Sequence, residues 1–140
     1  MSEDEISDNL GLMMESIILV QQRFSKILEP ADFAGSTEGV TLLDAISMRL
    51  QVIGELVKKI QKADPIFLLG YAEIDWKKIA KFRDIVSHHY EHVDHEIVYD
   101  ICKMHIPKLN EVVQKMRNSL LERSARESSR IGKRSKARGY

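Results

Sequence analysis

The sequence predicts an all-α protein, an antiparallel four-helix bundle, and three observations point that way. Gly and Pro are sparse, at seven and three of 140 residues, while Leu, Ile, Met, Lys, Glu and Ala fill long stretches, a usage that favours helix over sheet. Apolar residues recur at alternating steps of three and four, the signature of amphipathic helices. No strand pattern or internal repeat competes with a bundle.

The first helix is predicted over roughly residues 4–28, because Ile6, Leu10, Met13, Ile17, Val20, Phe24 and Ile27 share one face. Pro30 and the stretch Gly35-Ser36-Thr37-Glu38-Gly39 break the pattern. A second stripe then runs Leu42/Leu43, Ile46, Leu50, Ile53, Leu56/Val57 and Ile60, so the second helix ends near Ala63. Asp64-Pro65 and Gly70 mark a connector whose Ile66, Phe67, Leu68 and Leu69 are expected to lie against the core. Asp75 can cap a third helix starting at Trp76, and Asp94 a fourth. The stripe of the fourth runs Ile97, Ile101, Met104, then resumes after Pro107 as Leu109, Val112/Val113, Met116 and Leu120, so Pro107 should kink or divide it.

The length suits one core, so residues 1–122 are expected to form one helical domain and 123–140 a basic flexible tail. The formal charge is zero, yet 123–140 holds seven Lys/Arg against one Glu, +6, which leaves −6 on 1–122. The tail lacks apolar residues to pack and should be mobile, serving either as a solubilising end or as an attraction for phosphates. A single cysteine, Cys102, excludes an internal disulfide and a multi-cysteine zinc framework, and its apolar neighbours suggest a buried thiol. With an acidic N-terminus and no apolar run long enough for a signal peptide or a membrane span, the expectation is a soluble cytoplasmic protein.

On a regular third helix, Trp76, Ile79, Ala80, Phe82 and Val86 gather on one arc, and Arg83 and Tyr90 fall inside it. A guanidinium among apolar residues reads either as an ion pair to an acid on a neighbouring helix or as an anion site; the position alone favours the ion pair. Arg83 and His88 would stand about 140° apart with about 7.5 Å of rise between them, so one regular helix cannot aim both at one atom. They converge if the helix ends between them or if a second copy brings its own pair alongside. His88, His92 and His95 have the i, i+4, i+7 spacing of a metal face, but the cap at Asp94 argues for a helix break inside that cluster.

Arg83-Asp84-Ile85-Val86-Ser87-His88-His89-Tyr90 has the form R-x4-H-x-Y and resembles the signature of the HepT toxins in the HEPN superfamily. Gln51-Val52-Ile53-Gly54-Glu55-Leu56 is similar to that family's Ile-Gly-Glu segment, as are Ile74-Asp75-Trp76, Val93-Asp94 and Ile106-Pro107-Lys108-Leu109 in order and spacing. The resemblance implies a HEPN-type bundle that dimerises so that two motifs line a positive cleft where RNA, transfer or messenger, is cut without a metal or other cofactor. Arg83 and His88 would be the catalytic pair. Where the family usually has a polar residue, often Asn, this chain has Asp84, which keeps a hydrogen-bonding group beside Arg83 but adds a negative charge. The resemblance also implies an MntA-like nucleotidyltransferase antitoxin as partner, with Tyr90 at the position where AMP is added.

RNA carries its own nucleophile, the 2′-hydroxyl, so a proton acceptor and a charge stabiliser suffice for cleavage. His88 can move the proton and Arg83 can hold the phosphate oxygens. The reading from a different class is a helical dimer that binds a nucleotide, an RNA or a protein without cutting, with Arg83 as anion anchor.

Overall fold

Ser2 opens the first helix: its Oγ accepts the Glu5 amide at 3.2 Å, and Glu3, Asp4 and Glu5 place negative charge where the helix dipole favours it. The computed structural model describes residues 2–89 and 92–137, without the side chains of 87–89 and 133–137. Helix α1 spans Glu3–Phe24 and ends four residues earlier than its stripe predicts. The Ser25 hydroxyl donates to the Gln22 carbonyl at 2.6 Å, and the amides of Lys26 and Ile27 bond three residues back. Both tighten the chain out of α geometry. Ile27 is nonetheless buried.

A 3₁₀ turn, Pro30–Phe33, carries Phe33 into the core, and the Asp32 carboxylate accepts the amides of Leu28 and Glu29. Helix α2, Thr37–Ala63, begins inside the stretch expected to be a break, because the Ser36 Oγ accepts the Gly39 amide at 3.0 Å. Gly39 is required there: a Cβ would overlap the Asp32 carbonyl oxygen.

Asp64 caps α3, Pro65–Leu69, through the Phe67 amide. Of the connector's apolar residues only Leu68 is buried; Ile66 and Leu69 are exposed, since five helical residues cannot turn four consecutive side chains to one side. Helix α4, Trp76–Ala80, is capped by Asp75 as expected, its Oδ1 accepting the Lys78 amide at 3.1 Å. The third helix is not continuous. It breaks at Lys81 and resumes as α5, Phe82–Val86. Two short strands follow, β1 Ser87–His89 and β2 His92–Val93, paired antiparallel with Ser87 opposite Val93.

Asp94 caps α6, His95–Asp100, accepting the amides of Glu96 and Ile97. A π-helical stretch, Ile101–His105, leads into α7, Ile106–Ala137. Pro107 accounts for that stretch. Its nitrogen cannot bond the Lys103 carbonyl and its ring crowds it, so the preceding turn widens and the Ile106 amide reaches back to Ile101. The interruption expected at Pro107 thus lies in the turn before it. The wider turn also shifts the stripe: Ile101, Cys102 and Ile106 are buried, while Met104 is exposed.

Helix α1 packs along both α2 and α7. The Asn110 amide of α7 donates to Gln21 of α1 at 2.7 Å, and Arg123 lies 3.6 Å from Glu3, so α1 and α7 run antiparallel. Leu10, Ile17, Ile46, Leu50, Ile53, Leu109 and Val112 are fully buried between the long helices, and α4 and α5 lie against α2 in the fourth position. The segment expected as a flexible tail is helical through Ala137, with every residue from Leu121 to Gly132 exposed. Arg, Lys, Glu and Ala favour helix, and extending an existing helix avoids the cost of nucleating one. Among the described residues no helix is long and apolar enough to cross a membrane.

Candidate active site

The motif segment is seated by a glycine. A Cβ on Gly54 would lie 3.0 Å from the Ile79 carbonyl oxygen and 3.4 Å from that of Ala80, tighter than ordinary packing, so glycine lets the end of α4 come this close to α2 without displacement. The Trp76 indole donates to the Tyr71 carbonyl at 3.0 Å and fixes the start of α4, with Ile79 and Ala80 buried behind it. At Lys81 the backbone takes φ −95° and ψ 9°, its amide bonds two and three residues back, and the helix axis restarts.

Phe82 and Val86 are fully buried and hold α5 to the core, with Ile85 packed against it in part. Arg83 and Asp84 lie about 100° and 200° around the axis from Phe82 and are exposed. The apolar setting expected for Arg83 is therefore absent: the break at Lys81 separates it from the arc of α4. Among the described residues it makes no ion pair.

The helix ends at Val86, between Arg83 and His88, as one of the two routes to convergence requires. His88 is the middle residue of β1, so the pair sits on consecutive elements, a helical turn and a strand. The Asp94 amide donates to the Val86 carbonyl at 2.9 Å and pins the base of the ribbon where α5 stops and α6 starts. His92 lies on β2 and His95 on α6, so the helical spacing of a metal face does not exist here. Tyr90 lies outside the described residues.

Arg83 and Asp84 border none of five surface hollows that lie elsewhere among the described residues of the bundle. One of these, of 540 Å³, lies beside Leu68, Ala72 and Trp76. Another, of 240 Å³, lies between Asp75, Lys78 and Ile79 and the side chains of Met104, His105 and Lys108. Burial, and next the charge of Lys78, lower the His105 pKa from its usual 6.5. Sequence reading passed over His105, since a lone histidine two residues before a proline carries no signal. Cys102 is a buried thiol as expected, pushed up by desolvation to about 12 and hence unreactive.

Residues 15–116, which include Gly54, the whole motif segment and α6, match the family model described as Ribonuclease HepT-like. The chain belongs to this family. It is similar to a protein of Methanocaldococcus jannaschii named "Gamma-glutamylcyclotransferase and putative RNase", with 33% identity over 79% of this chain and 47% of that one. A "Putative RNase" of Caldanaerobacter subterraneus is 32% identical over 54% of this chain and 64% of its own length. A second "Putative RNase" of Methanocaldococcus jannaschii is 32% identical over 66% of this chain and 72% of its own. The chain spans about half the length of the first two curated relatives it matches, 47% and 50%. No solved structure matches it. The HepT-like match ends at Met116, before the exposed extension of α7.

Proposed function

We propose that this chain is a metal-independent endoribonuclease, the toxin of a HepT/MntA-type pair, cutting RNA through Arg83 and His88 where two copies of the chain meet. One observation carries the reading: the HepT-like match contains an arginine held exposed on α5, without an ion pair among the described residues, five residues before a histidine on β1. An arginine standing exposed on the surface suits the backbone of a polymer, whereas a small metabolite calls for a concave pocket.

In this mechanism the His88 imidazole removes the 2′-hydroxyl proton and the 2′-oxygen attacks the adjacent phosphorus. The bond to the 5′-oxygen breaks, and that oxygen takes up a proton. The products are a 2′,3′-cyclic phosphate and a 5′-hydroxyl. Arg83 donates to the non-bridging oxygens as charge builds on the phosphorane. Asp84, exposed at the next position without an ion pair to Arg83, adds a negative charge beside the guanidinium. Dimerisation supplies a second Arg83 and His88, so that base and acid come from two copies. AMP added to Tyr90 by an MntA-like nucleotidyltransferase brings a phosphate charge within the motif, where it competes with RNA for Arg83 and silences the toxin.

The test is incubation of purified protein with transfer and total RNA in EDTA, beside Arg83→Ala and His88→Ala. The parent should shorten RNA to cyclic-phosphate ends and leave DNA whole, and neither variant should cut. Intact RNA in every lane, with Tyr90 unmodified by mass, transfers the reading to a helical dimer that binds without cutting; strict dependence on a divalent ion overturns the mechanism. Co-expression with the nucleotidyltransferase should add the mass of AMP to the peptide holding Tyr90, and an unchanged mass refutes that control.

A further inference from the structure

The end of α7 has outgrown the bundle. Arg123 is level with Glu3 at the start of α1 and borders a hollow with Asp64 at the end of α2, so α7 has no further neighbour to run beside. It nevertheless continues to Ala137, about 21 Å beyond Arg123 at 1.5 Å per residue. In this overhang the basic residues are ordered. Arg123, Arg126 and Arg130 are spaced three and four apart, and the backbone register carries Lys133 and Arg134 onto the same side, all within an arc of about 100°. The one acid, Glu127, falls at the edge of that arc; Ile131, exposed, and Lys136 lie outside it, and the far side holds Ser124, Ala125, Ser128, Ser129 and Gly132.

A helix with a charged stripe, a small polar back and one large apolar side chain, Ile131, has no apolar face to bury against another helix, which argues against a protein partner held by apolar packing. Its complement is a line of anions. The stripe runs about 16 Å along the axis, long enough to lie beside several successive phosphates, and it stands on a body of charge −6 that offers RNA no general attraction of its own.

We propose that the overhang of α7 is a substrate-binding arm whose basic stripe grips the sugar–phosphate backbone of RNA away from the cutting site. RNA, among polyanions, rests on the ribonuclease reading above. The arm leaves the end of the bundle where α1 begins and α2 ends. The motif segment instead packs beside α6, which lies against the Pro30–Phe33 turn at the other end. A short RNA therefore reaches the motif without touching the arm, and a long one engages both.

The test compares the full chain, the chain truncated after Glu122, and the full-length variant Arg126→Gln/Arg130→Gln/Lys133→Gln/Arg134→Gln, in which glutamine keeps helix propensity and removes charge. Binding is read by fluorescence anisotropy with a long 2′-O-methyl RNA, which keeps every phosphate but lacks the nucleophile. Both variants should bind at least about tenfold more weakly near 0.1 M salt. The slope of log affinity against log salt should fall by about 2–3, at about 0.7 per lost phosphate contact. Cutting of an oligonucleotide of a few residues should be unchanged, while cutting of long RNA at low concentration should slow. Equal affinity and slope in all three proteins overturn the arm, as does weakening by truncation alone, which would make the helix and not its charge responsible. Binding to anionic vesicles that depends on the stripe, with RNA binding untouched, overturns it too. A parent that binds the uncuttable RNA through the stripe yet cuts nothing retains the arm and refutes only the ribonuclease reading.

Discussion

Along α1, α2 and α7 fully buried side chains recur every three or four residues, Leu10, Ile17, Ile46, Leu50, Ile53, Leu109 and Val112 among them. From Phe82 to Asp94, by contrast, the described side chains that reach the core are Phe82, Val86 and, in part, Ile85 and Val93. The bundle is held by area, the motif segment by a few anchors and a backbone bond. Segments with few buried contacts open at lower free energy than the core and can adapt to a ligand. Stability and chemistry are thereby separated, and each should respond to different substitutions.

The sharpest test of that separation lies at the catalytic pair. His88→Ala should lower RNA cutting by about 10²–10⁴-fold, and Arg83→Ala by about 10²–10³-fold. Because Arg83 is exposed and makes no ion pair among the described residues, its replacement should leave stability within about 0.5 kcal/mol. Urea titration of Arg83→Ala beside the cleavage assay measures both; a variant that loses activity by unfolding breaks the comparison.

Phe82→Ala should do the reverse. It removes one of the two fully buried anchors of α5 and should cost about 3–5 kcal/mol, with activity falling only because the segment no longer stays in place. Gly54→Ala sits between the two regions. The new methyl meets the Ile79 carbonyl at 3.0 Å and must push α4 off α2, at a cost of about 1–3 kcal/mol. Cutting should fall by more than the loss of folded protein explains, since the displaced element leads directly to Arg83. Equal losses would mean that Gly54 serves the core alone.

What the sequence made legible, and what it hid, divides along the same line. The stripes of the long helices are visible because burial repeats with the helix, and Asp75 and Asp94 are visible as caps because a carboxylate before an apolar run has few other uses. The break at Lys81 carries no Gly or Pro; it lies next to the close approach at Gly54, twenty-seven residues away in sequence, which no local pattern reveals. The ribbon at His88 has no alternating pattern, and the bond from Asp94 to Val86 that closes it is tertiary. Arg83 looked buried because a regular helix would have carried it into the arc of Trp76 and Ile79. The helicity of the α7 overhang was equally hidden, since the basic composition that suits a mobile tail also suits a helix already nucleated. The motif itself was readable in full, because its identity lies in residue types and spacing and not in packing.

The smallest expected effect is a pH dependence at His105, outside the motif segment, in the hollow between the start of α4 and the π-helical turn. Burial first, then Lys78, lower its pKa from 6.5, against the opposing pull of Asp75 and Asp100. The folded chain thus prefers the neutral imidazole, while the unfolded chain takes up a proton near 6.5. Between the lowered folded value and 6.5 the unfolded state binds more protons, so stability rises with pH through that window. The contribution is whole above the unfolded value and is lost as pH falls through the folded one. Thermal melts of the parent and of His105→Gln between about pH 5 and 7.5 should show a steeper acid-side decline in the parent. Parallel curves would mean that the pull of Asp75 and Asp100 cancels the burial and the charge of Lys78.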